Sequence, residues 1–208
     1  MPSEATPTRF GLVRHAETVW NREKRIQGQS DSALTTRGRK DADSWGRLLS
    51  CYAWSCILSS DAGRAVETAG RINNHLQTVL ECDPRLREQD WGRWTGWHIA
   101  RVEKEASQIL PGAQLSGWKF CPPGGEDRLS VWQRSLEALT EASHRKRGQT
   151  VLIVAHEGVI KCLIYRLSGL YFLPGESHLI KPYHLHWLVD PGTGQGIRID
   201  RLNALRLR

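Results

Sequence analysis

Thr150-Val151-Leu152-Ile153-Val154-Ala155, running straight into His156-Glu157-Gly158, decides the fold. A short apolar run without polar alternation reads as a strand buried on both faces, and such strands belong to parallel sheets covered by helices. The run stops at His156, and residues 159–167 continue as an apolar helix. A strand that feeds directly into a helix is half of a βα unit.

The same grammar repeats outward. Residues 9–13, Arg-Phe-Gly-Leu-Val, form a short buried strand that stops at Arg14-His15, and a polar loop spans 21–36. In 37–49 the apolar positions Ala42, Trp45, Leu48 and Leu49 fall at helical spacing. Residues 55–58 are a second strand, after which Ser59, Ser60 or Asp61 can cap a helix striped by Ala62, Ala65, Val66, Ala69, Ile72 and Leu76. That helix places Arg64 in its first turn. Residues 78–82 are a weaker strand and 129–142 a helix. Tyr183, Leu185, Trp187 and Val189 alternate with His184, His186 and Leu188 ahead of a turn at Asp190-Pro191-Gly192 and residues 197–202, which predicts a closing hairpin. The alternation argues for a three-layer α/β/α fold with a largely parallel central sheet. Residues 84–125, rich in tryptophan and punctuated by Pro111, Gly112, Pro122, Pro123, Gly124 and Gly125, read as an irregular insertion covering the site.

The 208 residues suit one domain, 1–208, with 84–125 as a cap region inside it. A formal charge of +7 favours anionic partners. The tight cluster Arg145-Lys146-Arg147 is too short for a nucleic-acid arm and reads as a solvated helix end. With no long apolar segment and no signal core, a soluble cytoplasmic protein is expected, engaging neither membrane nor nucleic acid. Cys51, Cys56, Cys82, Cys121 and Cys162 contain no C-x-x-C pair, so neither a disulfide framework nor a zinc knuckle is predicted, and most are expected to be small core residues. The oligomeric state is left open, a dimer included.

Three predicted strands end in residues suited to anions: Arg14-His15, Asp61 with Arg64, and His156-Glu157-Gly158. Ligands bind at the carboxyl ends of strands in open α/β sheets, so these groups are expected to converge. Two arginines can fork onto a phosphoryl group, and the helix beginning near Ala62 adds backbone N–H groups. An imidazole can then act as nucleophile, and His15 and His156 are both candidates. A leaving oxygen needs a proton donor. Glu88 can serve if neighbouring tryptophans desolvate it, with Asp90 the rival carboxylate. Taken singly, each residue has a plainer reading as a cap, a core histidine or a surface charge.

The stretch Leu12-Val13-Arg14-His15-Ala16-Glu17-Thr18-Val19-Trp20-Asn21, with Arg25-Ile26-Gln27-Gly28, Asp31, Leu34-Thr35 and Gly38, closely resembles the opening of the histidine phosphatase superfamily, the phosphoglycerate mutase-like family. The resemblance continues in order through Ser59-Ser60-Asp61-Ala62-Gly63-Arg64, Leu86-Arg87-Glu88, Trp91-Gly92, Trp94-Thr95-Gly96, Gly124-Gly125-Glu126 and Val154-Ala155-His156-Glu157-Gly158. It implies that His15 becomes phosphorylated, that Arg14, Arg64 and His156 hold the phosphoryl group, and that Glu88 is acid and then base. It places Asn21, Gln27 and Gly28 against phosphate or leaving group, with Glu126, Glu157 and Gly158 nearby. It implies no cofactor and no metal. Ala16 stands where the family commonly has glycine, so a positive φ there would be strained.

The family holds mutases and phosphatases. Mutases typically carry an adjacent arginine pair in a longer insertion; here 84–125 has Arg93, Arg101, Lys104 and Lys119 but no such pair, and Asp90-Trp91-Gly92-Arg93-Trp94-Thr95-Gly96-Trp97 looks more like the phosphatase branch. Hydrolysis of a small phosphorylated metabolite is therefore the expectation, with a mutase or a non-catalytic phospho-ligand binder as alternatives. One or two of Trp91, Trp94, Trp97 and Trp118 are expected to line the pocket. His184 and His186 share a strand face, where a solvent-facing role outweighs a metal pair lacking a third ligand.

Overall fold

The computed structural model describes residues 6–109 and 115–208. Its elements in order are β1 (Thr8–Arg14), α1 (Val19–Arg22), α2 (Thr36–Leu49), β2 (Cys56–Ser59), α3 (Gly63–Leu76), β3 (Val79–Cys82), α4 (Ile99–Ile109), α5 (Arg128–Arg145), β4 (Thr150–Ala155), α6 (Glu157–Leu167), β5 (His184–Asp190) and β6 (Arg198–Arg206). The six strands form one sheet in the order β3-β2-β4-β1-β5-β6. β1 to β4 run parallel, while β5 is antiparallel to β1 and to β6.

Both faces of β1, β2 and β4 are covered, which is why their sequences read as apolar runs, whereas β3 at the sheet edge is partly exposed. Phe10, Leu12, Cys56, Leu58, Val151, Ile153 and Ala155 pack with Val131, Leu139 and Leu163 of α5 and α6. The alternate residues Val13, Ile57, Leu152 and Val154 pack with Ala42, Trp45, Ala69 and Ile72 of α2 and α3. The two-residue period of a strand thus feeds two separate cores, each large side chain contributing about 1.5–3 kcal/mol of burial. Three-layer α/β/α architecture with a largely parallel sheet is what the chain adopts.

Several local expectations are corrected. The 84–125 stretch is not irregular throughout: it contains α4 and single 3-10 turns at Pro84–Leu86, Gly92–Trp94 and Gly117–Lys119. Trp94, Val102 and Phe120 make a small core there, joined by Ile26, Trp91 and Trp97. Pro111 and Gly112 lie outside the described residues. α3 is not capped by its own leading residues. Its N-cap is Ala62, without a side-chain bond, and the amide of Arg64 donates instead to Asp31 Oδ1 at 3.2 Å. Asp61 is engaged by Arg87, and Ser59 Oγ donates to the Ser60 carbonyl. Of the cysteines, only Cys56 and Cys162 are buried; Cys51, Cys82 and Cys121 are exposed. Arg145 and Lys146 both pair with Glu81, tying the end of α5 to β3.

His186 also departs from expectation. Its ring lies on a face of β5 beside Ile160 and Tyr165 of α6 and Ile180, so His186 is 2 % exposed rather than solvent-facing. Its Nδ1 accepts from the Asn203 amide at 3.2 Å, and burial, then His184, push its pKa down to about 4. Among the described residues no three His, Cys, Asp or Glu side chains group as a metal would need, and no helix is long and apolar enough to cross a membrane.

Candidate active site

Sheet register brings the strand-end residues together. Arg14 pairs with Ala155 across β1 and β4, and the His15 amide donates to the Ala155 carbonyl at 2.9 Å. This sets the His15 ring beside that of His156, with centroids 5.1 Å apart. On the other side of β4, the Ser60 amide donates to the Val154 carbonyl, and Ser60 Oγ meets His156 Nε2 at 2.9 Å.

His15 is 3 % exposed, and its Nδ1 lies 2.8 Å from the Ala16 carbonyl. A carbonyl only accepts, so the ring proton sits on Nδ1 and Nε2 carries the lone pair of the neutral imidazole. Burial holds the His15 pKa well below its usual 6.5, with Arg14 and Arg64 adding to the depression and the Ala16 hydrogen bond opposing it. The ring is therefore uncharged at neutral pH, and its Nε2 is able to act as a nucleophile. Ala16 is tolerated because it does not adopt a positive φ; its amide donates to Thr68 Oγ1. His156 is likewise depressed by burial and then by His15, Arg64, Arg14 and Arg134, and its Nδ1 is buried without a partner.

Arg64 is 1 % exposed and holds the polar loop in place. Its guanidinium donates to the carbonyls of Gly28 (2.7 Å) and Ser30 (2.8 Å) and to Asp31 Oδ1 (3.0 Å), while Nε is buried and unpartnered. Gly28 has φ +54°, and a Cβ there would press on Thr95 Oγ1 and the Trp91 amide at 3.1 and 3.2 Å, so glycine suits the backbone at this turn. Gln27 has a buried Oε1 without a partner, and Asn21 spends Oδ1 on the Thr18 amide in a capping box that starts α1. Arg14 is paired with Glu157, which also meets Lys161 at 2.6 Å. Burial pushes the Glu157 pKa up, but Arg14 and Lys161 outweigh it and hold the carboxyl below its usual range.

Glu88 and Asp90 are separated by the fold. Glu88 accepts from the Gln89 amide at 2.8 Å and the Gly158 amide at 3.3 Å, and it faces the cavity. The absence of a Cβ at Gly158 is what lets the carboxylate approach α6, because an added Cβ would collide with Glu88 Oε1. Asp90 instead accepts from the Gly92 amide and lies off the cavity wall. Glu126 is also off the wall, held by Arg134 at 2.7 and 2.9 Å.

These groups enclose a cavity of about 400 Å³. Arg14, His15, Asn21, Gln27, Gly28, Arg64, Glu88, Glu157 and Gly158 all line it; His156 lies behind His15, off the wall. Of the tryptophans, Trp91 lines the cavity while Trp94 is core, Trp97 stacks under Arg101 and Trp118 donates to the Leu170 carbonyl. Sequence reasoning missed Arg25, Ile99, Arg128, Lys161, Cys162 and Phe172 as lining residues. The apolar spacing of Ile99 and Val102 was a legible helix signal, whereas nothing near Arg128 or Phe172 in sequence marks them. Five cations and two carboxylates on the wall favour a dianionic ligand.

The model of the histidine phosphatase superfamily (branch 1) matches residues 10–203. The probable phosphoglycerate mutase GpmB of Salmonella choleraesuis is 36 % identical over 163 residues, which are 76 % of this chain and 74 % of that one. Among solved structures, YhfR of Bacillus stearothermophilus superposes with a TM-score of 0.82 at 30 % identity, covering 96 % of this chain and 98 % of the other. A mycobacterial glucosyl-3-phosphoglycerate phosphatase in complex with VO3 gives 0.78 at 30 % identity, with coverage of 95 % and 99 %. Matched along nearly its whole length, this chain belongs to the histidine phosphatase superfamily, branch 1.

Proposed function

We propose that the chain is a phosphomonoesterase acting on a small phosphorylated metabolite through a phosphohistidine on His15. The observation that carries this reading is the His15 ring itself: buried, uncharged, with Nδ1 tied to the Ala16 carbonyl and Nε2 left as the nucleophilic nitrogen in a cavity shared with Arg14, Arg64 and Glu88. Nε2 attacks phosphorus while the ester P–O bond breaks, and Glu88 gives its proton to the departing oxygen. Water then attacks the phosphohistidine, Glu88 takes the proton, and inorganic phosphate leaves. Arg14 and Arg64 supply fixed charge to the phosphoryl oxygens, Asn21, Gln27 and Gly28 border them, and Glu157 and Gly158 position Arg14 and Glu88. His156 supports the nucleophile from behind. With charge supplied by arginine, no metal or cofactor is required.

Residues 84–125 act as a cap within one domain spanning 1–208. Hydrolysis is favoured over mutase chemistry because the insertion has no adjacent arginine pair and its Arg93, Arg101 and Lys119 are off the cavity wall. The phosphatase named among the solved relatives is in keeping with this, while the name of the Salmonella relative makes the mutase the reading to beat.

Incubation with a phosphomonoester panel in chelator, quenched in base, should give acid-labile phosphate on His15, and His15→Ala should lose at least about 10⁴-fold in turnover. A metal requirement, or activity persisting in that variant, would refute the mechanism. Isomerisation of 3-phosphoglycerate faster than hydrolysis of any ester would establish the mutase.

A further inference from the structure

Four of the five cations on the cavity wall already have a carboxylate. Arg14 and Lys161 share Glu157, Arg25 meets Glu23 at 3.0 Å, and Arg64 meets Asp31 at 3.0 Å. Arg128 has none among the described residues: its guanidinium donates to the Gly117 carbonyl at 3.1 Å and is otherwise held by rings, 4.4 Å from Phe120 and 4.5 Å from Phe172. Ring faces orient a guanidinium and leave its charge in place. The neighbouring groups do not neutralise it either. Asp127 spends its carboxylate capping α5, and burial pushes the Cys162 thiol up to about 12, so it stays protonated.

Burial also lowers the Arg128 pKa, yet an arginine so placed remains charged. A partly buried, unpaired charge costs stability, and an incoming anion repays it. Arg128 starts α5 under the 3-10 turn Gly117–Lys119, on the cap side of the cavity, whereas Arg14 and Arg64 sit on the sheet side.

We infer that Arg128 forms a second anion subsite, and that the preferred substrate is a phosphomonoester whose leaving group carries a carboxylate or a second phosphate on an apolar body. Phe172 and Trp91, on the same wall, supply contact for that body. The inference rests on the phosphatase reading of the cavity and adds the class of leaving group.

The test compares kcat/KM for phenyl phosphate, 4-carboxyphenyl phosphate and 1,4-phenylene bisphosphate in wild type and Arg128→Met, which keeps an unbranched stem between the two rings. Taking each ester's ratio between the two proteins cancels differences in leaving-group reactivity. The charged esters should lose at least about tenfold more than phenyl phosphate, as expected for one charge-assisted hydrogen bond. The ester with the greater loss identifies carboxylate or phosphate as the group read. Equal losses on all three would overturn the proposal, since a role confined to packing the cap moves every ester alike, as would a wild type without preference for the charged esters.

If Arg128→Met fails to fold, Arg128→Gln, which keeps a polar stem but removes the charge, decides by the same ratios. Calorimetry on His15→Ala with the three esters reads the preference without turnover. Should no ester be hydrolysed, the phosphatase reading falls while the binding ratios still decide the subsite.

Discussion

At the ends of β1, β2 and β4 the cavity wall consists of residues whose positions follow from strand register; opposite them stands Trp91, backed by Trp94 and Phe120, which form a core of their own. On the sheet side each functional side chain is anchored through one edge and keeps another atom unpartnered: Arg64 holds three groups of the polar loop but leaves Nε free, His15 is tied to Ala16 through Nδ1, and His156 meets Ser60 but leaves Nδ1 free. On the cap side the wall is aromatic and aliphatic, with one uncommitted cation. The contrast separates two jobs. Under the proposed function, His15, Arg14 and Arg64 cannot shift without disturbing the sheet or the loop it carries, Glu88 reaches them from the 84–125 region, and the leaving group would meet side chains that can change within a small, separate cluster.

The largest effect that tests this separation comes from two neighbouring tryptophans. Trp94 is 1 % exposed and central to the cap core, so Trp94→Ala should cost about 3–5 kcal/mol in denaturant unfolding. Trp91→Ala should lower kcat/KM for aryl phosphates by about tenfold with a smaller stability loss, because Trp91 is only half-buried and lines the cavity. Similar profiles for the two variants would break the division between wall and core. Next in size, Gly158→Ala should push Glu88 out of place and reduce kcat by about 10²-fold, read in steady-state kinetics at pH 7. A normal kcat would remove Glu88 as proton donor.

The smallest effect concerns pH. His186 titrates near 6.5 when unfolded and near 4 when folded, so between those values the unfolded chain binds more protons and stability falls as pH falls. Above 6.5 its contribution is fully present and flat; by pH 5 about 2 kcal/mol is lost. His15 and His156 act with the same sign, and all three belong to the sheet side, while His98 of the cap is exposed. Melting curves between pH 5 and 8 should fall less steeply in His186→Gln, and an unchanged slope would count against the buried histidine as the cause.

What was legible in the sequence follows the same division. Residues 150–155 betrayed a doubly covered strand because both cores draw on it, and the strand-end positions of Arg14, His15 and His156 follow from where the apolar runs stop. Tertiary substitutions were illegible: Asp31, 33 residues before Arg64 in the chain, caps α3 where a local serine was expected. The solvent-facing reading of His186 failed because nothing in 184–190 announces that Ile160 and Tyr165 of α6, with Ile180, gather beside that face of the strand. Arg128 and Phe172 reach the cavity only through the way α5 and the segment after α6 meet the cap, and no periodicity records such a meeting.

The pairing of Arg9 with Thr150 has a consequence for how the protein is made. About 140 residues must be synthesised after β1 before β4 exists to receive it, on the order of ten seconds of translation at typical rates. During that interval Phe10, Leu12 and Val13 are an apolar segment awaiting both neighbouring strands, since β5 follows β4 in the chain. Such non-local pairing slows folding, and a nascent chain stalled before β4 would display this segment to chaperones or to other unfinished copies.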